Sequence, residues 1–250
     1  MKLSIIGNGT MARALINGLI DSYEIEVIGR DEFKLKTLHD IFPKIETKLF
    51  ENFNSKNRNI ILCVKPYALE SIEPYFKNEA NIIISVLAGS KIEKIKKSIK
   101  AKNYIRFMPN LGAKVLKSST TVTGDISQKE LALNIADSIG HSIWVDSETE
   151  LDIATALAGS GPAYLAIVAE ALIDGAVKEG LSRDRAKALT ASLFDGFGEL
   201  LRDEHPAVIK DSTMSPAGTT ARGCFELEND GVRGSFMRAI NSAFERTKEL

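Results

Sequence analysis

Cysteine is nearly missing from this chain. Cys63 and Cys224 are the only two in 250 residues. They are too few and too far apart for a disulfide framework or a zinc spacing, so a reducing compartment, the cytoplasm, is the expected setting. Histidine occurs only at His39, His141 and His205, each away from the motifs below, and no metal centre is expected. An excess of either charge is lacking too. The 32 basic and 33 acidic side chains leave a net charge of −1, which offers no electrostatic handle to nucleic acid or an anionic membrane. The lysines from Lys91 to Lys102 read as the solvated face of one helix. No apolar run reads as long enough to span a bilayer, and no signal peptide precedes the first strand. What remains is 44% hydrophobic and 26% charged, the composition of an ordinary soluble globular protein. At this length it can form one large domain or two modest ones.

The first half alternates short apolar strands with helices, which predicts a doubly wound parallel sheet. Leu3–Ile6 is a strand, Gly7-Asn8-Gly9-Thr10-Met11-Ala12 follows directly, and a helix is expected from Met11 to Ile20. In that context the glycines have distinct tasks. Gly7 permits a tight turn, Gly9 lets the backbone reach a pyrophosphate, and Ala12 permits close helix–strand packing. The helix N-terminus then faces the phosphates. A second strand, Glu24–Ile28, ends at Gly29-Arg30. An acidic residue there would suit the ribose 2′-hydroxyl of NAD, whereas Arg30 suits a 2′-phosphate, so NADPH is the expected cofactor and NADH stays open. The alternative is that Arg30 is a solvated strand-end residue, and Asp31 blunts the charge argument. The runs Asn59–Val64 and Ile82–Val86 read as strands covered on both faces. Their carboxyl ends, Val64-Lys65-Pro66 and Ala88-Gly89, should face the cofactor. Tyr104–Phe107, Thr120–Thr123 and Ser142–Val145 read as further strands, the last two flanking a helix from Gln128 to Ile139, and the cofactor domain is expected to close at 1–146.

From 147 to 250 the texture becomes helical. Leu151, Ala154 and Leu157 share a face until Gly159-Ser160-Gly161-Pro162 interrupts, and a new helix is expected from about Ala163 to Val177. The stripes Leu165/Val168/Leu172/Ala176, Leu189/Leu193/Phe197/Leu200 and Phe236/Ile240/Phe244 read as core or subunit interface. Between them lies Met214-Ser215-Pro216-Ala217-Gly218-Thr219-Thr220. Ser215 and Pro216 open a turn, Gly218 bends tightly, and Thr219 or Thr220 can cap a helix running to Leu227. A helix start carries free N–H groups and partial positive charge, which suits a carboxylate. The alternative is a capped helix with no ligand.

That segment, with Glu226 after it, resembles the signature of the pyrroline-5-carboxylate reductases, which reduce a cyclic imine to proline with a nicotinamide cofactor. Val64-Lys65-Pro66, Arg106-Phe107-Met108-Pro109-Asn110 and Gly159-Ser160-Gly161-Pro162-Ala163-Tyr164 are similar to that family as well, so the likeness spans almost the whole chain. Where the family usually continues with Thr-Pro, this chain has Leu111-Gly112. The resemblance implies a Rossmann-type cofactor domain followed by an all-α domain that interleaves with its copy in a homodimer, and it leaves open a larger ring of dimers. It places Asn110 near the nicotinamide and makes Thr220 the residue that hydrogen-bonds the ring nitrogen.

The substrate carboxylate is then assigned to the backbone N–H groups of Gly218, Thr219 and Thr220, with Ser215 in support. Glu148 is a further candidate to border the substrate, and a favourable acidic residue in a helix's first turn is its alternative reading. A ketone reductase needs an acid to protonate the nascent alkoxide. The related hydroxyacid dehydrogenases carry a lysine after the glycine break, and Pro162–Val177 contains none. Reduction of a protonated imine needs no such acid, and positioning is most of the task. Two other readings stay in view: a reductase of a different imine or small acid, and a non-catalytic NADP-binding sensor.

Overall fold

The computed structural model describes residues 1–249. Strands β1 (Lys2–Ile6), β2 (Glu24–Gly29), β3 (Glu46–Leu49), β4 (Asn59–Leu62), β5 (Ala80–Ser85), β6 (Ala101–Met108), β7 (Ser118–Gly124) and β8 (Gly140–Trp144) form one sheet, ordered β3-β2-β1-β4-β5-β6-β7-β8. The central strands β4 and β5 are covered on both faces, which is why they are apolar at successive positions. Leu3, Ile5, Ile82 and Ile84 point to one side, where α1 (Thr10–Leu19), α2 (Glu32–Ile41) and α5 (Lys129–Asp137) bury Leu15, Leu38 and Ile135. Ile6, Ile60, Leu62 and Ile83 point to the other, against Leu69 and Ile72 of α3 (Leu69–Ile72) and Ile95 of α4 (Ile92–Ser98). The strand order reverses between β1 and β4, and such a switch point opens a crevice at the carboxyl ends of the strands.

Two features of the sheet differ from the sequence expectation. Strand β7 runs antiparallel to β6, with β8 parallel to β7, so the sheet is mixed at one end. Strand β3 was not expected at all. It is a four-residue edge strand, Glu-Thr-Lys-Leu, whose charged residues keep an edge from pairing with other chains and hide it from an apolar-run reading.

The helical half holds α6 (Glu148–Ala154), α7 (Gly161–Lys178), α8 (Arg183–Asp203), α9 (Pro206–Thr213), α10 (Thr219–Asn229) and α11 (Val232–Thr247). The chain divides into two compact units, Met1–Pro162 with the end of the chain from Ala243, and Ala163–Ser242. The expected interruption at Gly159–Pro162 is not a break. Thr155–Gly159 forms a π-helical turn, the N–H of Ser160 donating to Thr155 O at 3.1 Å, and helix continues from Glu148 to Lys178. A π turn absorbs the extra residue without ending the helix. This corrects the reading that no apolar segment reaches membrane-spanning length: Glu148–Lys178 is long and apolar enough, and almost none of its apolar window is buried within the chain. Leu165, Leu172, Leu189, Leu193 and Phe197 are likewise exposed, so these stripes are not core within this chain.

Candidate active site

The crevice at the switch point is a cavity of about 830 Å³. Its shape follows from two glycines with opposite reasons to be glycine. Gly7 sits at φ +113°, where L side chains are strained, and a Cβ there would meet Cys63 O at 2.7 Å. Its N–H donates to Ile28 O at 2.9 Å, which ties the loop to β2. Gly9 has ordinary extended angles (φ −77°, ψ −171°), and a Cβ on it would meet nothing within 4 Å. Protein packing therefore does not require glycine here; open space above the loop does. Gly9 is the N-cap of α1 and no side chain caps that helix, so its first-turn N–H groups are left to whatever enters the cavity.

The cavity wall gathers eleven of the twelve expected cofactor residues: Gly7, Asn8, Gly9, Thr10, Met11, Arg30, Val64, Lys65, Pro66, Ala88 and Asn110. The exception is Gly89. At φ +68° it turns the chain after β5 toward a separate basin beside Lys91, Lys94 and Asp152. Asp31 does not neutralise Arg30. Its carboxylate accepts the Lys34 N–H at 3.0 Å as N-cap of α2 and pairs with Lys34 Nζ at 3.5 Å. These contacts, the Lys34 backbone bond first, hold it below the usual carboxylate range. Among the described residues Arg30 has no ion pair. Phe50, Tyr67 and Lys114 also line the cavity and were not foreseen. Tyr67, 86% exposed directly after Lys65-Pro66, was findable as an aromatic at a strand's carboxyl end. Cys63 lines the wall too, and burial pushes its thiol above its ordinary pKa.

Strand β6 leads into the far side of the cavity and carries a residue whose role sequence reasoning missed. Arg106 is 1% exposed, and its guanidinium meets Glu148 at 2.8 Å and Asp152 at 3.4 Å, four residues apart on α6. Glu148 Oε1 also accepts the Ile92 N–H at 2.9 Å. The carboxylate expected to border the substrate thus holds α6 to β6 and to the start of α4. Burial raises the pKa of Asp152, with Arg106 opposing. The signal was available: an arginine inside an apolar strand needs a carboxylate partner.

The Ser/Gly/Thr segment lies in the Ala163–Ser242 unit and forms a tight turn. The Gly218 N–H donates to Ser215 O at 2.9 Å, and the left-handed residue is Ala217 (φ +59°), not Gly218 (φ −75°). Gly218 is required for space instead, since a Cβ on it would lie 2.3 Å from Ser215 Oγ. Helix α10 begins at Thr219 with Gly218 as N-cap and no side-chain capping bond. Neither Thr219 nor Thr220 caps it, contrary to expectation. Among the described residues the hydroxyls of Ser215, Thr219 and Thr220 make no hydrogen bond. Ser215, Thr219 and Thr220 thus bring three uncommitted hydroxyls to the start of an eleven-residue helix.

Comparison with known proteins supplies the context. Residues 148–250 match the family described as pyrroline-5-carboxylate reductase dimerisation, and residues 2–89 match a family described as NADP oxidoreductase, coenzyme F420-dependent. The pyrroline-5-carboxylate reductase of Synechocystis is 34% identical over 100% of this chain and 98% of its own length. That of Methanosarcina acetivorans is 33% identical over 100% and 97%. Among solved structures, a pyrroline-5-carboxylate reductase from Coxiella burnetii matches with a TM-score of 0.87 at 30% identity, covering 99% of this chain and 97% of its own. The Plasmodium falciparum pyrroline carboxylate reductase, solved with NADP bound, matches with a TM-score of 0.81 at 28% identity, covering 100% and 97%.

Proposed function

The chain belongs to the pyrroline-5-carboxylate reductase family, and from that premise we propose that it reduces 1-pyrroline-5-carboxylate to L-proline with NADPH. Gly7, Asn8, Gly9, Thr10 and Met11 would hold the pyrophosphate, Arg30 the 2′-phosphate, and Val64, Lys65, Pro66 and Ala88 the remaining length of the cofactor. The open space over Gly9 and the uncapped start of α1 fit a phosphate group. When bound, that cofactor supplies a hydride. The task of residues 147–250 is to hold the imine. Carboxylate oxygens accept from the first-turn N–H groups of α10 at Thr219 and Thr220, with Ser215 beside them; the Gly218 N–H, expected as a third donor, is already bonded to Ser215 O. The Thr220 hydroxyl orients the ring nitrogen, which carries its proton before hydride arrives and leaves as a neutral amine. No group on the chain has to donate a proton to a developing alkoxide.

The observation that carries this reading is the uncapped start of α10 with its three uncommitted hydroxyls. Its test is substrate trimming. Removing the carboxylate forfeits hydrogen bonds to a charged group, each worth about 1.5–3 kcal/mol, so kcat/KM for 1-pyrroline should fall about a hundredfold below that for 1-pyrroline-5-carboxylate. Equal efficiency on the two imines would remove the carboxylate from the account.

The exposed apolar stripes of α7 and α8 support homodimerisation through 147–250, with a second copy covering them. We place residues 1–146 as the cofactor domain and the enzyme in the cytoplasm, a compartment compatible with two separated free cysteines.

A further inference from the structure

In an α-helix each carbonyl awaits the N–H four residues on. For Ala158 that residue is Pro162, which has none. The π turn shifts the neighbouring bond, so that Ser160 N–H donates to Thr155 O, and Pro162 has no N–H to give Ala158 O four residues back. The donor comes from outside the helix: Asn110 Nδ2 reaches Ala158 O at 3.0 Å. The rest of Asn110 is equally committed. Its Oδ1 accepts the Gly112 N–H at 2.9 Å, its own N–H donates to Ser118 Oγ at 3.0 Å, and its carbonyl accepts from Ala113 at 3.2 Å. Leu111-Gly112 makes this possible, because a proline at 112 would have no N–H to give. Gly112 also has no room for a Cβ, which would lie 2.4 Å from Lys117 O.

We propose that Asn110 is a positioning residue for the π turn rather than a polar ligand of the cofactor. It supplies the hydrogen bond that Pro162 removes, and it thereby fixes the turn that brings Gly159 to the cavity wall. The inference rests on the proposed reductase reading only for its kinetic consequence.

The test is a cycle of Asn110→Asp and Pro162→Ala, with Asn110→Ala measured alongside should the aspartate fail to fold. Asparagine-to-aspartate keeps the acceptor for Gly112 and loses the donor for Ala158, while alanine at 162 restores a helical N–H. In the Pro162 background, N110D should lower kcat at least about tenfold with the Kd for NADPH, by calorimetry, within about threefold. In the P162A background the same substitution should lower kcat less than about threefold, because coupled sites are non-additive. Read as urea midpoints, the cycle needs no turnover, so a wrong substrate would not mask it. A midpoint loss confined to the Pro162 background supports the proposal. A loss equal in both backgrounds overturns it, as does a Kd for NADPH that weakens as much as kcat/KM falls.

Discussion

Gly9→Val should fold as the unaltered chain does and bind NADPH about a hundredfold more weakly. Both halves follow from the local geometry. The backbone of Gly9 is extended, with φ −77° and ψ −171°, so a β-branched residue adopts it without strain. A Cβ there meets no protein atom within 4 Å, so the melting temperature should hardly move. The added side chain instead fills the space between the loop and an incoming pyrophosphate. Crowding of that kind costs about 1–3 kcal/mol, and occasionally more, which at its upper end is about a hundredfold in affinity. Gly7→Ala is the informative control. Its Cβ meets Cys63 O at 2.7 Å and its φ is +113°, so that variant should lose stability itself. Calorimetric titration and thermal melts of both variants separate the two effects. A Gly9→Val protein that binds NADPH normally would move the pyrophosphate elsewhere.

Thr220→Val should lower kcat by about a hundredfold, the lower range for loss of a positioned polar group at the reacting atoms. The Kd for NADPH should stay unchanged. Valine keeps the branched shape and removes only the hydroxyl. That hydroxyl makes no hydrogen bond among the described residues, and Thr220 lies in the first turn of α10, so the fold should tolerate the exchange. The kinetic pattern matters as much as the size. An interaction made mainly with the reacting nitrogen shows in kcat more than in KM. Thr219→Val, which removes a neighbouring hydroxyl and keeps the backbone N–H, should be far milder. Steady-state rates for both variants check this, and equal losses would take away the special role of Thr220.

The parts of this molecule that were legible in the sequence are those in which a residue type is forced by local geometry. Gly7-Asn8-Gly9 between a strand and a helix is one, and the apolar runs of β4 and β5 are another, because a strand covered on both faces has no polar alternation to show. The Ser215–Thr220 segment was legible as a turn into a helix start. Its details were not: the left-handed angle falls on Ala217, and the cap is the backbone of Gly218. Both depend on which backbone angles the Ser215–Gly218 turn adopts, and the residue types alone allow more than one. Strand β3 was invisible because an exposed edge selects charge. The direction of β7 was invisible because side chains alternate between the two faces in parallel and antiparallel pairing alike, so Ser118–Gly124 carries no mark of its direction. The Arg106 clamp was missed although its partners stand four apart on one helix face, the spacing at which two carboxylates meet one guanidinium. The continuity of Glu148–Lys178 was missed because Gly159 and Pro162 mark a stop in most helices. Here a π turn and Asn110 together supply what the proline withholds.

Incubation of the purified chain with NADPH and 1-pyrroline-5-carboxylate, following loss of the reduced nicotinamide absorbance and formation of proline together, is the most direct test. L-proline should appear mole for mole with NADPH consumed, and faster than with NADH, since Arg30, with no ion pair among the described residues, can meet a 2′-phosphate. NADPH bound tightly with no proline formed would contradict the assignment of this chain as a working imine reductase.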